Sequence, residues 1–231
     1  MSQINKSKKD SFVNLNDNTE KNAGARWIPE LNKEMVMTFN YIKHSSKHPI
    51  RRWMVEGFYK QMLRDLSDLP INSILDAGCG EGYTLDRLLK ADIGLNLTGV
   101  DYSRAAVNLG KELFPELDLK VGNIYNLQFG DDSKDLVICT EVLEHLEYPR
   151  RALGELVRVS QKYLVLSVPH EPFFSLKNLL IGRNIMRLGS SKGHVNWWTN
   201  RAFHRFVNEE KVNIIKSRHP FPFTLLIIEK L

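Results

Sequence analysis

The chain has 231 residues, 42% of them hydrophobic, and a formal charge of +5 from 32 Lys and Arg against 27 Asp and Glu; this is enough chain for one ordinary core and too little for two domains with a linker. The cations are scattered, so the mild basicity selects no nucleic-acid partner and no stable nucleic-acid complex is expected; the opening MSQINKSKKD lacks the apolar stretch of a secretory signal, and no segment approaches the roughly 20 apolar residues of a membrane span. Two cysteines, Cys79 and Cys139, supply neither a disulfide framework nor a zinc site, and the composition is that of a soluble, cytoplasmic protein with reduced thiols.

Residues 1–24 are rich in Asn, Lys, Asp and Ser without any period, which predicts a disordered tail ahead of a single domain over 25–231. Ile50 to Leu69 reads as a helix with Trp53, Phe58, Met62 and Leu66 as its apolar stripe, stopped by Pro70; it either packs on a sheet or covers a ligand mouth. Strands are then expected at Ser73–Ala77, Leu97–Asp101, Leu117–Val121, Asp135–Thr140 and Tyr163–Val168. Helices are expected at Tyr83–Lys90, at Ser103–Leu113 with Ser103 as N-cap, and at Tyr148–Val159. The runs DLVICT and YLVLSV lack polar alternation, the mark of strands buried on both faces. A helix from Asn200 to Glu209 precedes two β-rich runs, Val212–Arg218 and Phe223–Glu229, separated only by HPFP; four residues are too few for a parallel crossover, so these two pair antiparallel. The fold class is α/β: a seven-stranded, mostly parallel sheet with an antiparallel last strand and helices on both faces.

The stretch SILDAGCGEGYTLDRLL places Gly78, Gly80 and Gly82 at alternate positions between the first strand and a helix, where a loop at the carboxyl end of a parallel strand faces the ligand crevice. The spacing is G-x-G-x-G with Asp76 ahead of it, and Tyr83 stands where a dinucleotide fingerprint needs its third glycine, which weakens the NAD reading. Asp101 ends the second strand, where a carboxylate can accept from both hydroxyls of a ribose.

LDAGCGEG, GVDYS, GNIYNLQF and DLVICTEVLEHL, in that order, resemble the successive motifs of class I S-adenosylmethionine-dependent methyltransferases. The resemblance covers roughly residues 70–170 and implies a Rossmann-like sheet and S-adenosyl-L-methionine as cofactor. By position it implies that Asp76, Gly78, Cys79 and Gly80 form the methionine end of the site, that Asp101 holds the ribose with Tyr102 beside the adenine, that Asn123 and Ile124 meet the adenine edge, and that Thr140 and Glu141 face the sulfonium. Asn123 departs from the Asp that the family often has there; its amide can still both accept and donate.

A base for an oxygen or nitrogen acceptor is supplied by EVLEHLEYP, where His145 has Glu144 adjacent and Glu141 four residues earlier. His194 in GHVNWWT is the second candidate, and His170 in VPHEP is either near the acceptor or a turn residue. E-x-x-E-H with a distant histidine also resembles the metal site of small-RNA 2′-O-methyltransferases; with no RNA-binding module evident, no metal is assigned. Residues 172–193 mix large apolar side chains with cations and read as an acceptor-side insertion, a lid in preference to an interfacial helix. Trp197 and Trp198 read as packing, or as a stacking surface for an acceptor. The reading reached is a methyltransferase, monomer or homodimer, that methylates a small-molecule acceptor, at oxygen before nitrogen or carbon. A metal-assisted RNA 2′-O-methyltransferase and a non-catalytic nucleotide-binding partner subunit are the alternatives.

Overall fold

The computed structural model describes His44, residues 48–170 and residues 195–231. The expected tail over 1–24, the 172–193 insertion and His194 lie outside the described residues. Within them, β1 (Ser73–Ala77), β2 (Asn96–Asp101), β3 (Asp118–Val121), β4 (Lys134–Thr140), β5 (Ser160–Pro169), β6 (Val212–Arg218) and β7 (Phe223–Lys230) form one sheet in the order β3-β2-β1-β4-β5-β7-β6. The first five strands pair in parallel, and β7 lies antiparallel between β5 and β6, as the short HPFP connection requires. The strand order reverses beside β1, between β2 and β4, and there the crevice opens.

Helices cover both faces. Helices α1 (Pro49–Leu66), α2 (Tyr83–Lys90) and α3 (Arg104–Leu113) close one face, with Met62, Leu66, Leu85, Leu88 and Val107 among its buried residues. Helices α4 (Pro149–Val159) and α5 (Asn200–Val207) close the other through Ala152, Leu153, Leu156, Val159, Phe203, Phe206 and Val207. Ser103 caps α3 by accepting the Ala106 N–H at 3.2 Å, and Thr199 caps α5 in the same way. The edges are charged: β3 buries only Leu119, and β6 carries Lys216 and Arg218, both paired with the buried Asp65 of α1 at 3.1 and 2.8 Å. Cys79 and Cys139 are buried thiols. No helix among the described residues is long and apolar enough to cross a membrane.

Two expectations need correction. Helix α1 ends at Leu66, short of Leu69, with Ser67 as C-cap. Its buried side is Val55, Phe58, Tyr59, Met62 and Leu66, while Trp53 is 66% exposed. Five residues separate Trp53 from Phe58, a rotation of about 140° off the stripe at 100° per residue, so Trp53 belongs to the outer face. α1 is therefore expected to respond unequally to truncation. Met62→Ala should cost about 2–5 kcal/mol and Trp53→Ala no more than about 0.5 kcal/mol in urea unfolding; equal losses would mean the helix packs in a different rotation.

Candidate active site

The turn after β1 is built from left-handed backbone: φ is 88° at Gly78, 55° at Gly80 and 93° at Gly82. The neighbour that excludes a side chain at Gly78 is the protein itself, because a Cβ there would stand 2.4 Å from Val142 Cγ2. The loop is pinned from β2, whose Val100 carbonyl accepts the N–H groups of Gly78 (2.7 Å) and Cys79 (3.1 Å). From below, α3 presses on it so closely that a Cβ at Gly110 would meet the Glu81 carbonyl oxygen at 2.5 Å. Gly110 sits in a helical pattern and carries no loop signal, so sequence reasoning missed it; a glycine inside an otherwise regular helix was the available clue.

Asp101 joins the glycine turn to the next loop. One carboxylate oxygen accepts the Gly80 N–H and the other the Ser103 N–H, each at 2.8 Å. Each oxygen keeps a further lone pair, so the carboxylate can still accept from a vicinal diol laid across the strand tip. Tyr102, next to it, is largely exposed, and Ile124 is half-buried against the core. The carboxamide oxygen of Asn123 accepts the Tyr125 N–H at 2.9 Å, which closes a tight turn and leaves the amide NH₂ as the group able to meet a base edge.

Thr140 and Glu141, at the tip of β4, line a narrow cleft with Val55, Phe58 and Tyr59 of α1 and Phe223 of β7. The α1 residues were not singled out as site residues from sequence, although a helix covering a ligand mouth was one of its two readings. Tyr59 is fixed by a hydrogen bond between its hydroxyl and that of Thr84 at 3.1 Å, with the Arg87 guanidinium 4.3 Å from its ring centroid and bidentate to Glu56. Burial, with the carboxylates of Asp76 and Glu141 nearby, keeps that phenol protonated well above its usual range.

His145 closes a 3₁₀ turn, Leu143–His145, held by a second segment: Asn196 donates from its side chain to the carbonyls of Leu143 (3.2 Å) and Leu146 (2.6 Å), and the Val195 and Asn196 N–H groups meet the Glu144 carbonyl. The imidazole Nε2 lies 3.9 Å from Glu144 Oε1, beyond hydrogen-bond reach, with the glutamate buried beneath it. His170 donates its N–H to Pro222 and bridges to Trp198, with its ring 6.3 Å from that of His219. Trp198 packs against Phe203 and Phe206, whereas Trp197 is exposed. No group of three or more His, Cys, Asp and Glu among the described residues is arranged to hold a metal ion.

The tips of β1, β2 and β4 thus carry Asp76, Asp101 and Glu141 around the glycine turn. Burial and the nearby Asp101 push Asp76, which is 1% exposed, up to about 8, and burial raises Asp101 against the two N–H groups that hold it down. With Asp76 neutral, Asp101 and Glu141 are the acids of this group that carry negative charge beside the turn.

Comparison with known proteins agrees with this geometry. Residues 75–164 match the family model described as "Methyltransferase domain". A probable S-adenosylmethionine-dependent methyltransferase of Mycolicibacterium smegmatis is 36% identical over 44% of this chain and 40% of its own length. The mitochondrial ubiquinone biosynthesis O-methyltransferase of Schizosaccharomyces pombe is 25% identical over 70% of this chain and 60% of its own. The chain therefore spans less than two thirds of these curated relatives. Magnesium protoporphyrin IX methyltransferase from Synechocystis, solved with bound S-adenosylhomocysteine, superimposes with a TM-score of 0.63 at 17% identity, covering 86% of this chain and 98% of that one, a likeness of fold.

Because folding raises the Asp76 pKa, the neutral carboxyl is the form that the native state favours. Its contribution is complete below the ordinary carboxylate value and is lost as pH climbs to about 8. In the ligand-free protein, urea midpoints should fall across that window, and Asp76→Asn should flatten the fall and be the more stable protein at pH 9. An unchanged slope in the variant would count against the assignment.

Proposed function

We propose, from the match of residues 75–164 to a methyltransferase domain and from the relatives above, that this chain is an S-adenosylmethionine-dependent methyltransferase that binds S-adenosyl-L-methionine across the tips of β1 and β2 and methylates a small-molecule acceptor, at oxygen. The observation that carries the reading is the pair of carboxylates, Asp101 and Glu141, beside a glycine turn, which suits a cationic nucleoside and opposes a phosphate-bearing one. Asp101 takes the ribose hydroxyls, the backbone from Gly78 to Gly80 receives the amino-acid end with Asp76 beneath it, Asn123 and Ile124 meet the adenine, and Tyr102 flanks it.

When bound, the cofactor supplies a methyl group made electrophilic by its positive sulfur. The chain's share of the catalysis is alignment, worth an effective molarity of roughly 10⁵ M or more where the reacting atoms are held in line. Val55, Phe58, Tyr59 and Phe223 form an apolar wall that limits water beside Thr140 and Glu141. His145 is the base proposed for the acceptor hydroxyl, with the buried Glu144 side chain 3.9 Å away. An oxygen acceptor is supported by the likeness to the yeast O-methyltransferase and by that histidine.

S-adenosylhomocysteine should raise the melting temperature of the full chain while NAD at equal concentration leaves it unchanged, and Asp101→Ala should weaken the former at least about tenfold by calorimetry. Stabilisation by NAD alone would overturn the reading. With a dihydroxybenzoate as probe acceptor, His145→Ala should slow label transfer from S-adenosylmethionine at least about 10²-fold with S-adenosylhomocysteine affinity intact; an equal loss of affinity would mark His145 as structural.

A further inference from the structure

The second half of β5 is apolar but for one residue: Leu164, Val165, Leu166 and Val168 are fully buried, and so is the one hydroxyl among them, Ser167. Burying a hydroxyl in a central strand is unfavourable unless it is hydrogen-bonded, and its partner is Glu141. Ser167 Oγ donates to Glu141 Oε1 at 3.0 Å, and the Ser167 carbonyl accepts the Glu141 N–H at 3.1 Å. Glu141 itself has φ of 59°, a left-handed conformation that a non-glycine residue keeps only where its surroundings impose it. The next residue, Val142, lies against Gly78, while Glu141 lines the cleft with Thr140 and Tyr59. A strained backbone, a buried hydroxyl and a close-packed valine all serve to carry one carboxylate between the glycine turn and the apolar wall.

We propose that Glu141 reads the charge on the cofactor's sulfur, so that it holds the sulfonium of S-adenosylmethionine in preference to the neutral thioether of S-adenosylhomocysteine. The inference rests on the cofactor reading above and adds a specificity-determining residue to it. In methyl transfer the carbon–sulfur bond breaks with its electron pair left on sulfur, the methyl carbon bonds the acceptor oxygen, and the acceptor proton goes to the base. The sulfur thereby turns from cationic to neutral. A carboxylate in a cleft shielded from water attracts the first state strongly and the second hardly at all. Charge already disperses from sulfur in the transition state, so this attraction favours the bound reactant over the transition state and does not accelerate the chemistry. Its service is to turnover: the spent cofactor is released because the charge that retained it has gone. Ser167 acts through Glu141 as a positioning residue, by fixing one oxygen from behind.

Calorimetry on the full chain with S-adenosylmethionine and S-adenosylhomocysteine as the two probes tests this without any acceptor. Glu141→Gln should weaken S-adenosylmethionine at least about tenfold and S-adenosylhomocysteine by no more than about threefold. Glu141→Gly removes the same charge while relieving the left-handed backbone, so it guards against a folding defect and should behave alike. Ser167→Ala should shift the ratio in the same direction by less, and Ser167→Thr, which keeps the hydroxyl, should restore it. Equal weakening of both probes, which would place Glu141 on a part they share, overturns the inference, as does no change in either. Wild-type protein that binds neither probe overturns the cofactor reading, and this inference with it.

Discussion

Asp101 is the joint on which the crevice depends. Its two oxygens accept backbone N–H groups from two different loops, Gly80 in the glycine turn and Ser103 at the start of α3, so one side chain fixes the separation of the β1 and β2 tips. A hydroxyl or an amide in its place could not accept at both ends and still have capacity for a ligand. Burial raises the proton affinity of Asp76 beneath the turn, and the Asp101 carboxylate adds to it. Structure and electrostatics at this point cannot be separated: the group that holds the loop open also sets the charge that the loop presents.

Around that joint the glycine turn is shaped mainly by its own protein. Val142 closes on Gly78 from the β4 side, and the Glu81 carbonyl meets α3 at Gly110. Three glycines in five residues suggest a ligand pressed against bare backbone, yet at Gly78 the steric demand comes from a valine two residues beyond β4. What the ligand gains is indirect. A turn clamped on both sides has little conformational freedom left to lose on binding; its Gly78, Cys79 and Gly80 N–H groups are already taken by Val100 and Asp101, so what it offers a ligand is a fixed shape.

Most of the fold was legible because its signals are local. Buried runs such as YLVLSV, the Ser103 cap and the four-residue link before β7 each depend on a few neighbouring residues, and β1, α2 and β6 fall where the pattern puts them. A candidate site could be proposed from sequence only where a motif carries it along the chain, as at Gly78, Gly80 and Asp101. Tyr59, Thr84 and Ser167 acquire their roles from partners far off in sequence: 25 residues for the two hydroxyls on α1 and α2, and 26 for Ser167 and Glu141. Periodicity says that such residues are buried without saying against what. Trp53 failed for a related reason, since a large apolar residue near the spacing of a stripe is counted into it unless the helix phase is measured.

Helix α1 shows how the wall of the cleft can be made rigid by contacts that lie outside it. Midway along α1, Glu56 holds Arg87 of α2 in a bidentate pair, and Tyr59 shares a hydrogen bond with Thr84 at the start of the same helix. Near its carboxyl end, Asp65 takes Lys216 and Arg218 of the edge strand β6. The helix is therefore strapped across the sheet from the β1 side to the far edge, and Val55, Phe58 and Tyr59 face the cleft from a span anchored at two points. The exposed Glu56–Arg87 pair contributes little to global stability taken singly. The effect of these contacts together is on register: a one-residue rotation of α1 would swing Phe58 out of the cleft by about 100° and break the Asp65 contacts at once. The strap thus ensures that Val55, Phe58 and Tyr59 are presented to the cleft at one angle.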